Sequence, residues 1–295
     1  SVDAFFDVSE SRTMNVTVNY DASKVAKGYI FGDPVVSEDK VVISGPKTYV
    51  DRVDTVEADV SFGSESSLTE SYNADCMLQL TGSGVNSSYI EMTTRGNDPV
   101  EIKSVSVTLP VLKEVELPVK VEFEDMPDGL PSNAVNVTYS VSKVRAGVLA
   151  SANIQSAVIG KINFHEIGTG SKSYNFDVTS LQGISILDSK IRTINATVTV
   201  SSDYEEQIVE IEPSQIQIEG IPDGYSAKVK SVDDTAIEVI APKGTEITAN
   251  NLTLTCNVSD INDDSLYPIS ITISNKSAWA HSTYNAVIEL VEEDE

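Results

Sequence analysis

Residues 27–62, KGYIFGDPVVSEDKVVISGPKTYVDRVDTVEADVSF, decide how the chain is read. The stretch opens on a glycine turn, Lys27-Gly28-Tyr29, and passes through a loop to a β-branched run, Lys40-Val41-Val42-Ile43. A tight break follows at Ser44-Gly45-Pro46, and then a second run, Val56-Glu57-Ala58-Asp59-Val60-Ser61-Phe62. Successive side chains of a strand point to opposite faces, so Val56, Ala58, Val60 and Phe62 share one face.

The same cassette returns twice. The chain reads Met126-Pro127-Asp128-Gly129-Leu130 and later Ile221-Pro222-Asp223-Gly224-Tyr225, placing the turn glycines Gly28, Gly129 and Gly224 at intervals of 101 and 95 residues. Each glycine precedes a break at similar distance: Gly45, Gly147 and Ala241-Pro242. The second run returns as 158–164 and 252–258. A closing alternating strand appears at 105–109, 196–200 and 286–290. Solenoid repeats run roughly 20–50 residues, so this longer period fits tandem small domains instead. The spacing divides the chain into units 1–112, 113–203 and 204–295 and makes it all-β, three tandem small domains of short strands with little helix. Each glycine is expected in an equivalent turn.

These residues resemble the YbbR-like repeat: Gly28-Tyr29, Gly45-Pro46-Lys47 and Val56-Glu57-Ala58-Asp59-Val60-Ser61 in unit one. Unit three keeps Pro222-Asp223-Gly224-Tyr225 and Ala241-Pro242-Lys243, with alanine in place of the glycine of G-P. Unit two keeps Pro127-Asp128-Gly129 and Gly147 but has Val148 where proline is expected. A tandem immunoglobulin-like array shares part of this punctuation.

Formal net charge is −25, and no basic stretch exceeds a residue or two. Nucleic acid and anionic membrane surfaces are therefore poor partners, since both need Lys and Arg to neutralise phosphate. No apolar run approaches the length of a membrane span, so no direct lipid contact is expected of this segment. With no initiator Met and no signal peptide, the chain reads like an excised ectodomain. Short linkers without Gly/Ser tracts suggest a semi-rigid rod. Strands are expected at 14–20, 72–80, 89–93, 135–141 and 173–178. The best helix candidate, Leu149 to Gln155, is barely two turns. Phe5 and Phe6 are placed to dock on the first unit.

Chemistry-bearing residues are sparse. His165 and His281 are the two histidines, in different units near strand ends, where rim positions fit better than metal ligation. Cys76 and Cys256 lie on apolar alternating runs in different units, which favours buried free thiols. No G-x-S-x-G, H-E-x-x-H or phosphate loop occurs. Gly82-Ser83-Gly84 and Gly168-Thr169-Gly170 read as turns. Asp260-Ile261-Asn262-Asp263-Asp264 spaces oxygens like the start of a calcium loop, but lacks its glycine and terminal Glu; Asx turns explain the same residues, as they do Asp233-Asp234. Seven N-x-S/T triplets, at Asn15, Asn86, Asn136, Asn195, Asn251, Asn257 and Asn275, follow from a composition rich in Asn, Ser and Thr. Trp279, beside Ala278, Ala280 and Tyr284, either forms an aromatic ligand patch or covers the open end of a β-domain, the second being preferred.

No catalytic residue, metal ligand, cofactor or small-molecule site is identifiable, and no enzyme is expected. What the resemblance implies is an extracytoplasmic region of a membrane-anchored bacterial protein, tethered by a helix upstream of residue 1. The family's role is regulation of a membrane diadenylate cyclase, and so of cyclic di-AMP, by protein–protein contact. The rival readings are a cell-surface spacer or adhesin and, resting only on Trp279 and the excess of acid, a carbohydrate-binding or glycoside-cleaving module.

Overall fold

The computed structural model describes residues 7–260 and 265–292. Two compact units emerge: one holds residues up to Leu117 with Val144–Gln155 and Ser180–Ser189, the other Pro118–Lys143, Ser156–Thr179 and Lys190 onward. Among the described residues no helix is long and apolar enough to cross a membrane. The architecture is all-β.

The first unit contains β1 (Ser9–Asn19), β2 (Tyr29–Phe31), β3 (Val35–Val36), β4 (Lys40–Pro46), β5 (Thr55–Asp59), β6 (Tyr72–Thr81), β7 (Glu91–Thr93) and β8 (Ser104–Leu109). Seven of these make one sheet, ordered β3-β8-β6-β5-β1-β4-β7. β1 lies antiparallel to β4 and parallel to β5. Alternation delivers the core: Val41, Ile43, Val56, Ala58, Cys76, Val105, Val107 and Leu109 are buried, while their sequence neighbours point outward. β5 stops at Asp59, short of the expected run, yet Phe62 still reaches the core.

The break at Ser44-Gly45-Pro46 has a steric cause. A Cβ on Gly45 would lie 2.3 Å from the backbone oxygen of Tyr89, closer than any real contact. Pro46 then ends β4 and caps α1 (Lys47–Val50), the one α-helix among the described residues. Tyr49 stacks on Tyr89 at 4.6 Å, and Val50 is fully buried. The helix expected over 149–155 does not form. Leu149 ends a strand, and Ala152 N–H bonds back to Leu149 O in a tight turn. So short a segment has too few turns to offset the cost of helix nucleation.

The middle of the chain supplies β9 (Val111–Glu124), β10 (Val135–Tyr139), β11 (Lys143–Leu149), β12 (Ala157–Asn163), β13 (Ser171–Asp177), β14 (Ile184–Ile186) and β15 (Thr193–Val200). The expected boundary at 112/113 falls inside β9. Its residues up to Leu117 belong to the first unit, which also holds β2 and β14, and the rest of β9 goes with β12 in the second unit. The 113–203 segment is thus shared between the two units. Within β12 the register shifts between Val158 and Lys161, and this lets Ile159 and Ile162 both face inward.

The remaining strands are β16 (Tyr204–Glu210), β17 (Ile216–Glu219), β18 (Tyr225–Val232), β19 (Ala236–Pro242), β20 (Leu252–Asn257), β21 (Leu266–Pro268), β22 (Ser270–Ile273), β23 (Trp279–His281) and β24 (Asn285–Glu292). They form three small sheets, β16-β19-β23, β17-β20-β22 and β18-β24-β21.

One pairing scheme recurs three times. An opening strand neighbours the strand that carries the break and lies parallel to the next alternating strand: β1 with β4 and β5, β9 with β11 and β12, β16 and β17 with β19 and β20. In the third case a 3-10 turn at Pro213–Gln215 splits the opening strand. The closing strand always pairs with one that follows the glycine turn: β8 with β3, β15 with β10, β24 with β18. Each glycine turn closes by the same hydrogen bond, Tyr29 to Ala26, Leu130 to Pro127 and Tyr225 to Pro222. Gly28 and Gly224 take φ of +83° and +80°. Gly129 lies outside the left-handed region and is required for space, since a Cβ there would sit 2.6 Å from Lys276 Cβ.

Candidate functional site

The second unit gathers most of the residues singled out by type. His165 sits in a 3-10 turn, Phe164–Glu166, capped by Asn163 Oδ1, which accepts from His165 N at 2.8 Å. Its Nδ1 lies 2.9 Å from Ala280 O, and its own carbonyl accepts from Ser282 N at 2.7 Å. A carbonyl only accepts, so Nδ1 carries the proton. His281 Nδ1 lies 2.8 Å from Glu238 Oε2. Tyr284 Oη donates to His281 O at 3.0 Å and accepts from Glu238 N at 2.8 Å. Burial pushes the Tyr284 phenol up, against the Glu238 N–H bond that lowers it.

The two histidines, expected on the rims of different units, are both half-buried at β23: His165 binds its main chain at Ala280, and His281, its last residue, pairs across to Glu238 of β19. Among the described residues no group of three or more His, Cys, Asp or Glu side chains stands close enough to hold a metal ion. These contacts tie β23 to the 3-10 turn at Phe164–Glu166 and to β19.

Trp279 is buried, with 3% of its surface exposed, and so offers no face for stacking a sugar. Its Nε1 donates to Ile167 O at 2.7 Å. Its indole meets Phe164 edge-on at 5.1 Å and Tyr204 at 5.4 Å. Ala134, Ile162, Ile167, Val198, Val200 and Ile240 are buried in the same cluster. Sequence separated these residues into units two and three; Trp279 makes them one core. Tyr204 Oη is buried in that core without a hydrogen bond to protein, and burial raises its phenol.

A groove of about 280 Å³ runs beside β22. It is lined by residues 269–273, by Asn275 and Lys276, by Asp125–Asp128 and His165, and on the β23 side by Ala278, Trp279 and Ala280. No β20 residue lines it, so it lies between β23 and the edge of β22 that pairs with no strand among the described residues. Gly129 N–H donates to Lys276 O at 3.1 Å and Ser277 Oγ to Gly129 O at 2.9 Å, tying the 127–130 turn to the turn after β22. Sequence reasoning missed this groove. The pattern Ile269-Ser270-Ile271-Thr272-Ile273 alternates as a strand does, but nothing in it distinguishes an edge from a centre.

The other candidates are structural. Cys76 and Cys256 are free and buried, in the first and second unit, and burial raises both thiols. Asp233 accepts from Asp234 N and from the backbone and side chain of Asn285, so it braces a turn. In Gly82-Ser83-Gly84 and Gly168-Thr169-Gly170, Gly82, Gly84 and Gly170 have positive φ. Of the calcium-like run only Asp260 is described; residues 261–264, like Phe5 and Phe6, lie outside the described residues.

Residues 14–93 match the family described as YbbR-like protein. A YbbR-like protein from Streptococcus pneumoniae TIGR4, whose crystal structure was solved at 2.74 Å, is 15% identical to this chain, with a TM-score of 0.34. The match covers 68% of this chain and 99% of that one. No curated protein matches. The matched segment runs from β1 to β7 and contains the Gly28 turn, the Gly45-Pro46 break and the Val56-Glu57-Ala58 strand, so residues 14–93 form a YbbR-like domain.

Proposed function

We propose that this chain is the non-catalytic, extracytoplasmic region of a membrane-anchored bacterial protein, built from three YbbR-like repeats. It acts by protein–protein contact on a membrane diadenylate cyclase and so on cyclic di-AMP. The observation that carries this reading is the YbbR-like match over residues 14–93. The recurring strand pairing supports extending the repeat beyond the matched segment. The chemistry of the second unit agrees with contact: His165, the indole of Trp279 and the carboxylate of Asp233 are all engaged in main-chain hydrogen bonds. A net charge of −25 favours a basic or neutral protein surface as partner. Such a region influences a partner only by binding two of its states unequally.

The test is to express the full-length protein with its cyclase and measure cyclic di-AMP and co-purification, with and without residues 1–295. Both should change on deletion. If neither does, regulation is refuted and a spacer or adhesin takes its place.

A further inference from the structure

The edge of β22 is chemically unfinished. Ser274 N donates to Asn251 O at 2.9 Å, in line with the β20–β22 register that pairs Leu252 with Ile273. In an antiparallel ladder, alternate residues turn their N–H and C=O toward the partner strand. Ser270 and Thr272 therefore face β20, whereas Ile271 and Ile273 direct their main-chain groups away from it. Ile269 has the same outward parity, and its N–H is taken by Tyr284 O at 2.8 Å. Beyond it, on the side where the groove runs, the outward N–H groups of Ile271 and Ile273 have no main-chain partner among the described residues.

An open edge of this kind is a template for another strand, and proteins normally blunt it with charge, proline or a bulge. β22 carries none of these: its four residues are Ser, Ile, Thr and Ile. The groove's charge is also one-sided. Exposed Asp125 and Asp128 face it against the single Lys276, in a chain of net charge −25. Exposed Met126, at 52%, adds an apolar surface on the same wall. Asp125 is fixed by accepting from Asn163 Nδ2 at 2.6 Å, and it holds a φ of +55°.

We infer that this groove receives an extended, basic segment of a partner protein. The segment adds as a strand to β22, pairing its main chain with Ile271 and Ile273 and setting a Lys or Arg against Asp125 and Asp128. Main-chain pairing supplies affinity in strand addition, and the side-chain pockets supply selectivity. This inference deepens the contact reading and rests on it. The binding experiment uses this chain alone, so it can fail independently of the cyclic di-AMP measurement.

The probe is a short capped peptide, Thr-Val-Lys-Val-Lys-Val-Thr, titrated into the protein with amide exchange followed at residues 269–275. Saturable binding should slow exchange at Ile271 and Ile273. The same peptide with Glu for Lys should bind roughly tenfold more weakly or worse, the scale of one charge-assisted contact. Asp125→Asn with Asp128→Asn should erase that preference. Ile271→Pro removes an outward N–H while sparing the ladder to β20, and should abolish binding. Should that variant misfold, as Trp279 emission would report, the Lys peptide N-methylated at alternate residues makes the same test and should not bind. The inference is overturned by absence of binding at millimolar peptide, by equal binding of the two peptides, or by protection that misses β22.

Discussion

Replacing Trp279 tests whether one indole unites residues assigned by sequence to separate units. In Trp279→Phe the ring contact with Phe164 largely survives, but the Nε1 bond to Ile167 O is lost. That oxygen is left unpaired inside a buried cluster. An unsatisfied buried acceptor costs about 1–3 kcal/mol. Trp279→Ala also empties the space between Phe164 and Tyr204, and a full aromatic truncation costs about 3–5 kcal/mol. With a urea slope of about 2 kcal/mol/M, the Phe variant should move its midpoint down by roughly 1 M. Far-UV circular dichroism follows the transition, and pulsed alkylation of Cys256, fully buried in the second unit, reports where it occurs. Wild-type emission should be that of an indole shielded from water. Two results would overturn this account: an alanine variant losing less than about 1 kcal/mol, or a wild-type spectrum of an exposed indole. Losses on the scale of a full aromatic truncation need a packed site.

Other expectations follow from single contacts. Gly45→Ala should destabilise the first unit by more than the ~1 kcal/mol of a propensity effect, because Tyr89 O occupies the space of the new methyl; thermal unfolding within error of wild type would contradict this. Gly224→Ala meets nothing within 4 Å, so its cost should be only the ~1–2 kcal/mol of a left-handed L-residue; a larger loss by denaturant titration would show that the turn is not open around this position. Burial, helped by Glu166, raises the Tyr174 phenol from 10.0 to about 12. The folded state thus holds that proton longer than the unfolded chain. Its contribution to stability is complete below pH 10 and is lost as pH rises toward 12. Tyr174→Phe should flatten the stability–pH curve in that window, and an unchanged slope would remove Tyr174 as its cause.

The strands, the turns and their recurrence were legible in the sequence. Period-two alternation buried Val56 and Ala58, and later Leu254 and Cys256; Val60 is only half-buried, and Phe62 and Val258 reach the core from beyond the ends of β5 and β20. Glycine and proline fixed the breaks because their backbone constraints are local. Less legible was why each glycine is there. Gly28 and Gly224 are needed for backbone conformation, whereas Gly45 and Gly129 are needed for space beside Tyr89 and Lys276. At Gly147 the neighbours are the side chains of Leu112 and Ile30, and at the matching position of the third repeat Ala241 fits its core with its methyl buried. Those neighbours lie far along the chain, and spacing does not reveal them.

How the repeats are grouped emerged only on folding. β9 runs on past the point where a linker was expected, since Val111 and Leu112 are buried strand residues and not a hinge. Trp279 chose partners from 134–204, and His165 met the main chain of β23 at Ala280. The groove lies where β22, last in its sheet among the described residues, leaves a gap before β23. Strand order, edges and the meeting of distant side chains depend on which surfaces pack together. A strand's own residues specify which of its faces is apolar, but not what will cover its edge.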